Sequence, residues 1–289
     1  MLRLITRGHP SLLTFDVTQS DGATVGYNFD QTVAPGETIL YKWYAQPGIE
    51  DGAVNLLDFG DRRGHRHHGL YGSLMVEPKD FTAVDPKSGA AITSGAQANV
   101  NWKDASGVNR PFREFVLNMV DDLVLRDKAG NILPYPLEGE PGDIGHRAIN
   151  YQTERFAPRL AKDPEVANVM SSAVHGDPAT PLMRAYVGDA THLRFISGGD
   201  RDRAHTFILN GHSWRDQNRD PNSVVSYSQG GLLTGSAFNL NLIGGAGGRQ
   251  ALPGDYLYRD GNLNNQVNQG LWGIFRVEDG LKPDLKPLQ

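Results

Sequence analysis

Gly69-Leu-Tyr-Gly-Ser-Leu-Met-Val-Glu-Pro78 and Gly270-Leu-Trp-Gly-Ile-Phe-Arg-Val-Glu278 repeat one pattern about two hundred residues apart. Each opens Gly-Leu-aromatic-Gly, runs on through apolar residues and ends on Val-Glu. Short apolar runs bounded by glycine and proline read as buried strands, and Pro78, which has no N–H for a ladder, closes the first copy. The echo implies two domains of one type that end on equivalent strands. Upstream, Glu37-Thr-Ile-Leu-Tyr-Lys-Trp-Tyr-Ala45 alternates Thr38, Leu40 and Lys42 against Ile39, Tyr41 and Trp43, the period of a strand. Ala34-Pro-Gly-Glu37 before it is a turn, because proline fixes φ and glycine supplies the reversal. With 34 glycines and 17 prolines in 289 residues, many short strands joined by tight turns are expected, and hence an all-β chain.

A length of 289 residues suits two domains. Residues 1–80 form the first. Residues 81–107 are polar and lack a sustained period, which reads as a linker. Residues 108–280 form the second domain, with strands expected at 112–119, 182–187, 192–197, 205–209 and 256–258. Segment 164–173 reads as a short helical insertion, with Pro164 in a first turn and Val166, Val169, Met170 and Ala173 at helical spacing. The tail, 281–289, carries two Lys-Pro pairs and is expected to be extended and poorly ordered.

The formal charge is −5 with no basic stripe, which argues against nucleic acid. The longest apolar runs fall far short of the roughly 20 residues of a membrane helix. Residues 1–10 carry two arginines and no apolar core, so they do not read as a signal peptide. No cysteine is present, which removes disulfides, zinc thiolates, a nucleophilic thiol and any copper thiolate.

Pro35-Gly-Glu-Thr-Ile-Leu-Tyr41, followed by His68-Gly-Leu-Tyr-Gly-Ser-Leu-Met-Val-Glu-Pro78, resembles the first domain of multicopper oxidases. His205-Thr-Phe-Ile-Leu-Asn-Gly-His212 is similar to that family's histidine-rich copper strand, and Pro253-Gly-Asp-Tyr-Leu-Tyr258 to the approach to its His-Cys-His motif. The resemblance covers nearly the whole chain. It implies two cupredoxin-like Greek-key β-sandwiches, the first incomplete at its N-terminus, and it implies copper. By that alignment His205 takes the place of a type 1 histidine, and His212 trails the same strand. Ile208 and Asn210 stand where the trinuclear cluster would draw ligands, and Arg259, Asp260 and Gly261 fill the His-Cys-His positions. In the first domain His9 is left near the first His-x-His, and Ala53-Val-Asn-Leu56 carries no histidine at the second. A type 1 centre needs a thiolate, so any copper here is expected to be type 2-like at most.

The densest donor set is Arg62-Arg-Gly-His-Arg-His-His-Gly69. His65 and His67 form a His-x-His pair, which on an extended backbone points to one side, and His68 adds a third imidazole. Three arginines there oppose a dication unless Asp58 or Asp61 offsets them; the other reading is a basic loop that packs on an acidic surface or binds an anion. His205 and His212, with His175, are a second set, for which a hydrogen-bonded core role is the alternative. Gly244-Gly-Ala-Gly-Gly248 lacks the Lys-Ser/Thr of a phosphate loop. Asp121-Asp122 and 138–143 read as acidic turns, 200–203 as a charged hairpin tip, and Trp43, Trp102, Trp214 and Trp272 as core.

Two functions follow. One is a multicopper-oxidase-like, copper-binding protein using His65, His67, His68, His205 and His212, part of an oxidoreductase acting on metal ions or phenolics. The other is a non-catalytic cupredoxin scaffold or copper-handling subunit. Expected partners are a metal ion and, by family analogy, further copies or a completing subunit; the same analogy points to the periplasm or the exterior.

Overall fold

The computed structural model describes residues 9–10, 13–61, 64–135, 145–198 and 204–289. The N-terminal unit contains β1 (His9–Pro10), β2 (Thr14–Phe15), β3 (Trp43–Tyr44), β4 (Gly52–Leu57), the helical turn α1 (Gly64–His67) and β5 (Tyr71–Val76). There follow β6 (Thr82–Val84), β7 (Gln97–Asn101), β8 (Phe112–Leu123), β9 (His146–Ile149), α2 (Phe156–Lys162) and α3 (Ser172–His175). The C-terminal third contains β10 (Met183–Tyr186), β11 (Thr191–Ser197), β12 (His205–Leu209), β13 (Trp214–Arg215), β14 (Val225–Ser226), β15 (Ser228–Leu232), β16 (Ala237–Asn241), β17 (Gly254–Asp260) and β18 (Trp272–Glu278). The chain is all-β, as its turn-rich composition implies.

Two sheets face each other in the larger unit. One has the order β16-β11-β8-β7-β6, with β9 added beside β8; the other has the order β10-β18-β17-β12-β15. Phe115, Leu117 and Met119 of β8 and Leu193 and Phe195 of β11 meet Phe207 and Leu209 of β12, Tyr258 of β17 and Phe275 of β18 in a single buried core. Each large side chain so buried contributes about 1.5–3 kcal/mol. The non-sequential strand order, with β11 parallel to β8 and β10 parallel to β18, makes β8 a central strand covered on both faces.

The N-terminal unit is a three-stranded sheet, β1-β4-β5, beside the ribbon β2-β3. Its inner face lies on the six-stranded sheet, where Ala53 and Met75 pack with Val116, Ile196 and Ala237. Side chains fix that contact: Asn239 Oδ1 accepts from Ala53 N at 2.8 Å, and Asn55 Nδ2 donates to the Ser197 carbonyl at 2.8 Å.

Four expectations meet a different outcome. Of 37–45, only Trp43–Tyr44 is strand, paired with Thr14–Phe15. The rest is held by Tyr41 Oη donating to the Gln31 carbonyl (2.7 Å) and Lys42 N donating to Ser20 Oγ (2.9 Å). Residues 81–107 hold β6 and β7, which extend the six-stranded sheet, since Gln97, Asn99 and Asn101 alternate with Ala98 and Val100 in β7 and Ala83 and Val84 give β6 its apolar residues. Segment 164–173 divides into a 3-10 turn at Val166–Asn168 and the start of α3, while α2 precedes it. The tail is docked: Leu285 is buried, its carbonyl accepts from Tyr186 Oη (2.5 Å), and Arg113 Nη2 donates to the Lys286 carbonyl (2.8 Å).

Candidate functional site

His65 and His67 of α1 and His205 of β12 gather around the end of β8, while His175 lies on α3 and His212 stands apart. Asp58, buried after β4, accepts from Gly60 N, Asp61 N and His65 Nδ1, the last at 2.6 Å. Asp61 Oδ1 accepts from Gly64 N at 3.0 Å and so satisfies a donor at the start of α1. Gly69, with φ +92°, ends the turn, and a Cβ there would come within 3.0 Å of the Tyr151 ring. Tyr151 Oη then donates to the Gly69 carbonyl at 2.9 Å, and its ring stacks on Tyr71 at 4.9 Å. Burial and the neighbouring Tyr151 and Asp122 push the Tyr71 hydroxyl well above the usual phenol range.

His67 Nδ1 lies 3.1 Å from both the carbonyl and Oδ2 of Asp122, and Val124 N donates to the His67 carbonyl at 2.7 Å. The turn is thereby clamped to β8. Successive strand residues point to opposite faces, so Asp121 looks away from α1 toward His205, with Oδ2 3.8 Å from Nε2. His205 Nδ1 bonds Asp260 Oδ2 at 2.8 Å, and the side chains of His205, Asp260 and Asp121 are all buried. His205 opens β12 and Asp260 ends β17, neighbours in the five-stranded sheet, with Phe207 opposite Asp260.

His212 stands apart, in the turn beyond the far end of β12. Its Nδ1 donates to the Asn210 carbonyl (3.0 Å), and its Nε2 accepts from Gly247 N (3.1 Å). Burial holds its pKa below the usual imidazole value, consistent with a neutral ring whose two nitrogens both serve the fold. The glycine-rich 244–248 segment is the partner: Gly248, at φ +64°, approaches so closely that a Cβ would fall 2.5 Å from the Gly211 carbonyl oxygen. His68 is exposed. Residues 62–63, 138–143 and 200–203, expected as a basic, an acidic and a charged loop, lie outside the described residues or reach beyond them.

His65 and His67 sit on a helical turn, where residues two apart diverge by about 200°, so they do not share a side as on a strand. Each has a different aspartate. A group of three or more His, Cys, Asp or Glu arranged to hold a metal ion does not occur among the described residues. Where the family resemblance sets the thiolate, Asp260 bonds the histidine directly, and no cysteine is available. The donors present therefore do not fit a blue copper centre or a trinuclear cluster.

Sequence reading named Asp58 and Asp260 but missed the place of Asp121 and Asp122. Asp121-Asp122 was expected in a turn and is instead buried strand. The signal lay in its context, an unbroken run from Phe115 to Leu125 with apolar residues on either side.

No family model and no curated protein matches the chain. Solved structures do match. A multicopper oxidase superposes on 95% of this chain and 70% of its own, with TM-score 0.53 and 15% identity. A copper nitrite reductase from Nitrosomonas europaea covers 97% of this chain and 77% of its own, with TM-score 0.54 and 17% identity. For a blue copper oxidase from the same organism the figures are 96%, 70%, 0.56 and 20%. At these identities the likeness is one of fold, and the fold of this chain is all-β and cupredoxin-like.

Proposed function

We propose that the chain is a non-catalytic cupredoxin-type scaffold, one that keeps the frame of a copper oxidase without its electron-entry centre. The observation that carries this reading is the 2.8 Å bond between His205 Nδ1 and Asp260 Oδ2. Asp260 stands where the resemblance sets the thiolate and supplies no soft donor, and the other ring nitrogen of His205 faces Asp121 at 3.8 Å. A frame can outlive the chemistry it once held. Its partner would be a second copy or a completing chain.

A second reading, a copper-handling subunit, keeps copper at the α1 turn. Asp58 Oδ2 holds Nδ1 of His65 and the Asp122 backbone carbonyl holds Nδ1 of His67, the carboxylate–histidine and carbonyl–histidine arrangements that leave the other ring nitrogen for a metal. Exposed His68 would add a donor, and the remaining ligands would come from a partner. Cu(II) titration with absorption and spin-resonance spectra, beside a His65/His67/His68→Ala variant, separates the two. Under either reading no intense band appears near about 600 nm, a copper–thiolate transition. The scaffold reading expects no stoichiometric copper; one copper per chain, lost in the triple variant, establishes the second. A native mass above 31.6 kDa would report the partner.

A further inference from the structure

A cavity of about 320 Å³ lies between β5 and the β6-β7-β8 face of the six-stranded sheet. Its walls are apolar, from Met75, Ala83, Ile92 and Val100 among others, and its acidic end is Glu77 with Glu114. Leu74 and Phe81, which also line it, are 39% and 42% exposed. A concave apolar site of this size with a few convergent polar groups is the usual form of a small-molecule pocket.

The polar end is short of positive charge. Glu114 Oε1 accepts from Arg194 Nε at 2.7 Å, and Asp51 Oδ2 accepts from Arg194 Nη2 at 2.9 Å. Arg194 is thus shared by Glu114 and Asp51, while Glu77 brings a third carboxyl group. Both oxygens of Glu77 are enclosed and meet no hydrogen-bond donor among the described residues. The other charged or titratable groups are His192, 3.9 Å from Asp51, and Arg219, which reaches the outer side of Asp51, also at 3.9 Å. Burial and Arg194 push His192 down to about 3, so it stays neutral. Burial and the adjacent Glu114 push Glu77 up to about 9, so near neutral pH it retains its proton.

We propose that this cavity binds an apolar primary amine, whose hydrocarbon lies along the Met75–Val100 walls and whose ammonium group pairs with the Glu77 and Glu114 carboxylates. The ammonium supplies the missing positive charge. It enters charged, so Glu77 gives its proton to solvent, one proton per amine bound, and no covalent bond changes.

The test is calorimetric titration of the full chain with 2-phenylethylamine at pH 7.5, in phosphate and in Tris, beside 2-phenylethanol. Expected are saturable amine binding, an apparent enthalpy that differs between buffers by close to one proton's ionisation, and alcohol binding at least about tenfold weaker, a difference of ~1.4 kcal/mol. Glu77→Gln is expected to lose the proton release and the preference for amine while keeping the wild-type circular dichroism spectrum. Equal binding of the alcohol, buffer-independent enthalpy, or no amine binding at about 10 mM, weaker than the millimolar range where affinity is ~4 kcal/mol, would each overturn the proposal. The wild-type comparison of amine with alcohol decides it even if the variant misfolds.

Discussion

Asp260 shows how one residue sets what a cupredoxin frame can do. At the end of β17 its Oδ1 accepts from Asn262 N at 2.7 Å while Oδ2 bonds His205, so the carboxylate closes a turn and orients a buried ring together. Removing it leaves an enclosed imidazole nitrogen without its partner, which costs roughly 1–3 kcal/mol. Asp260→Ala is accordingly expected to lower the unfolding free energy by that amount, read as a lower midpoint of urea unfolding with an unchanged slope; a midpoint equal to wild type would mean that the pair contributes nothing to the fold. His212 plays a comparable part beside Gly247, in a segment whose glycines are needed for close packing rather than for phosphate. At this scale the sequence displayed the residue types but not their partners, because Asp260 is 55 positions from His205 and the two meet only through sheet pairing.

Among the elements, β8 has the largest role. Its twelve residues supply the core with Phe115, Leu117 and Met119, present Asp121 to one side and Asp122 to the other, and offer Glu114 to the amine cavity. The C-terminal segment braces the other end of the same strand. Arg113 of β8 pairs with Asp189 and donates to the Lys286 carbonyl, while Leu285 is buried beside Tyr186. Truncation after Gly280 is therefore expected to destabilise the protein by several kcal/mol, from one lost buried leucine and the hydrogen bonds that residues 282–289 make with Pro86, Asn99, Arg113, Arg184 and Tyr186. Thermal unfolding of the truncated chain checks this, and an unchanged Tm would mark the segment as dispensable. The tail's Lys-Pro pairs suggested disorder because local composition says nothing of a docking groove formed by β8 and β10. The strands at 112–119, 192–197 and 205–209 were legible because their apolar periodicity is local.

For the whole molecule, the join between the N-terminal sheet and the larger sandwich is where pH acts. Glu77 follows β5 on one side of that join, and Glu114 and Arg194 lie on the other. An acid whose native pKa is about 9 against an ordinary 4.5 binds more protons folded than unfolded between those values. Its stabilising contribution is complete below pH 4.5 and falls as pH rises to about 9. His192, whose native value is about 3, acts oppositely between pH 3 and 6.5: its contribution is present above 6.5 and lost as pH falls. The two trends offset between pH 4.5 and 6.5, so the net decline is expected from pH 6.5 to 9, at up to about 1.4 kcal/mol per pH unit. Glu77→Gln should flatten that limb in denaturant unfolding measured across the range, and a variant with the wild-type slope would remove Glu77 as its cause. Hydrogen exchange in β4 and β5 should speed along the same limb, because the join loosens first.

The sequence by itself determined that the chain is all-β, that its strands end on turns set by glycine and proline, and that no thiolate can serve a copper here. These are properties of composition and of local period, which a chain carries before it folds. Tertiary structure alone decided that His65, His67 and His205 each face an aspartate, that 81–107 belongs to a sheet, and that Glu77 and Glu114 share one buried end of a cavity. Those outcomes depend on which strands pair and which faces meet, and side chains far apart in sequence acquire their charge states and partners only when burial brings them together.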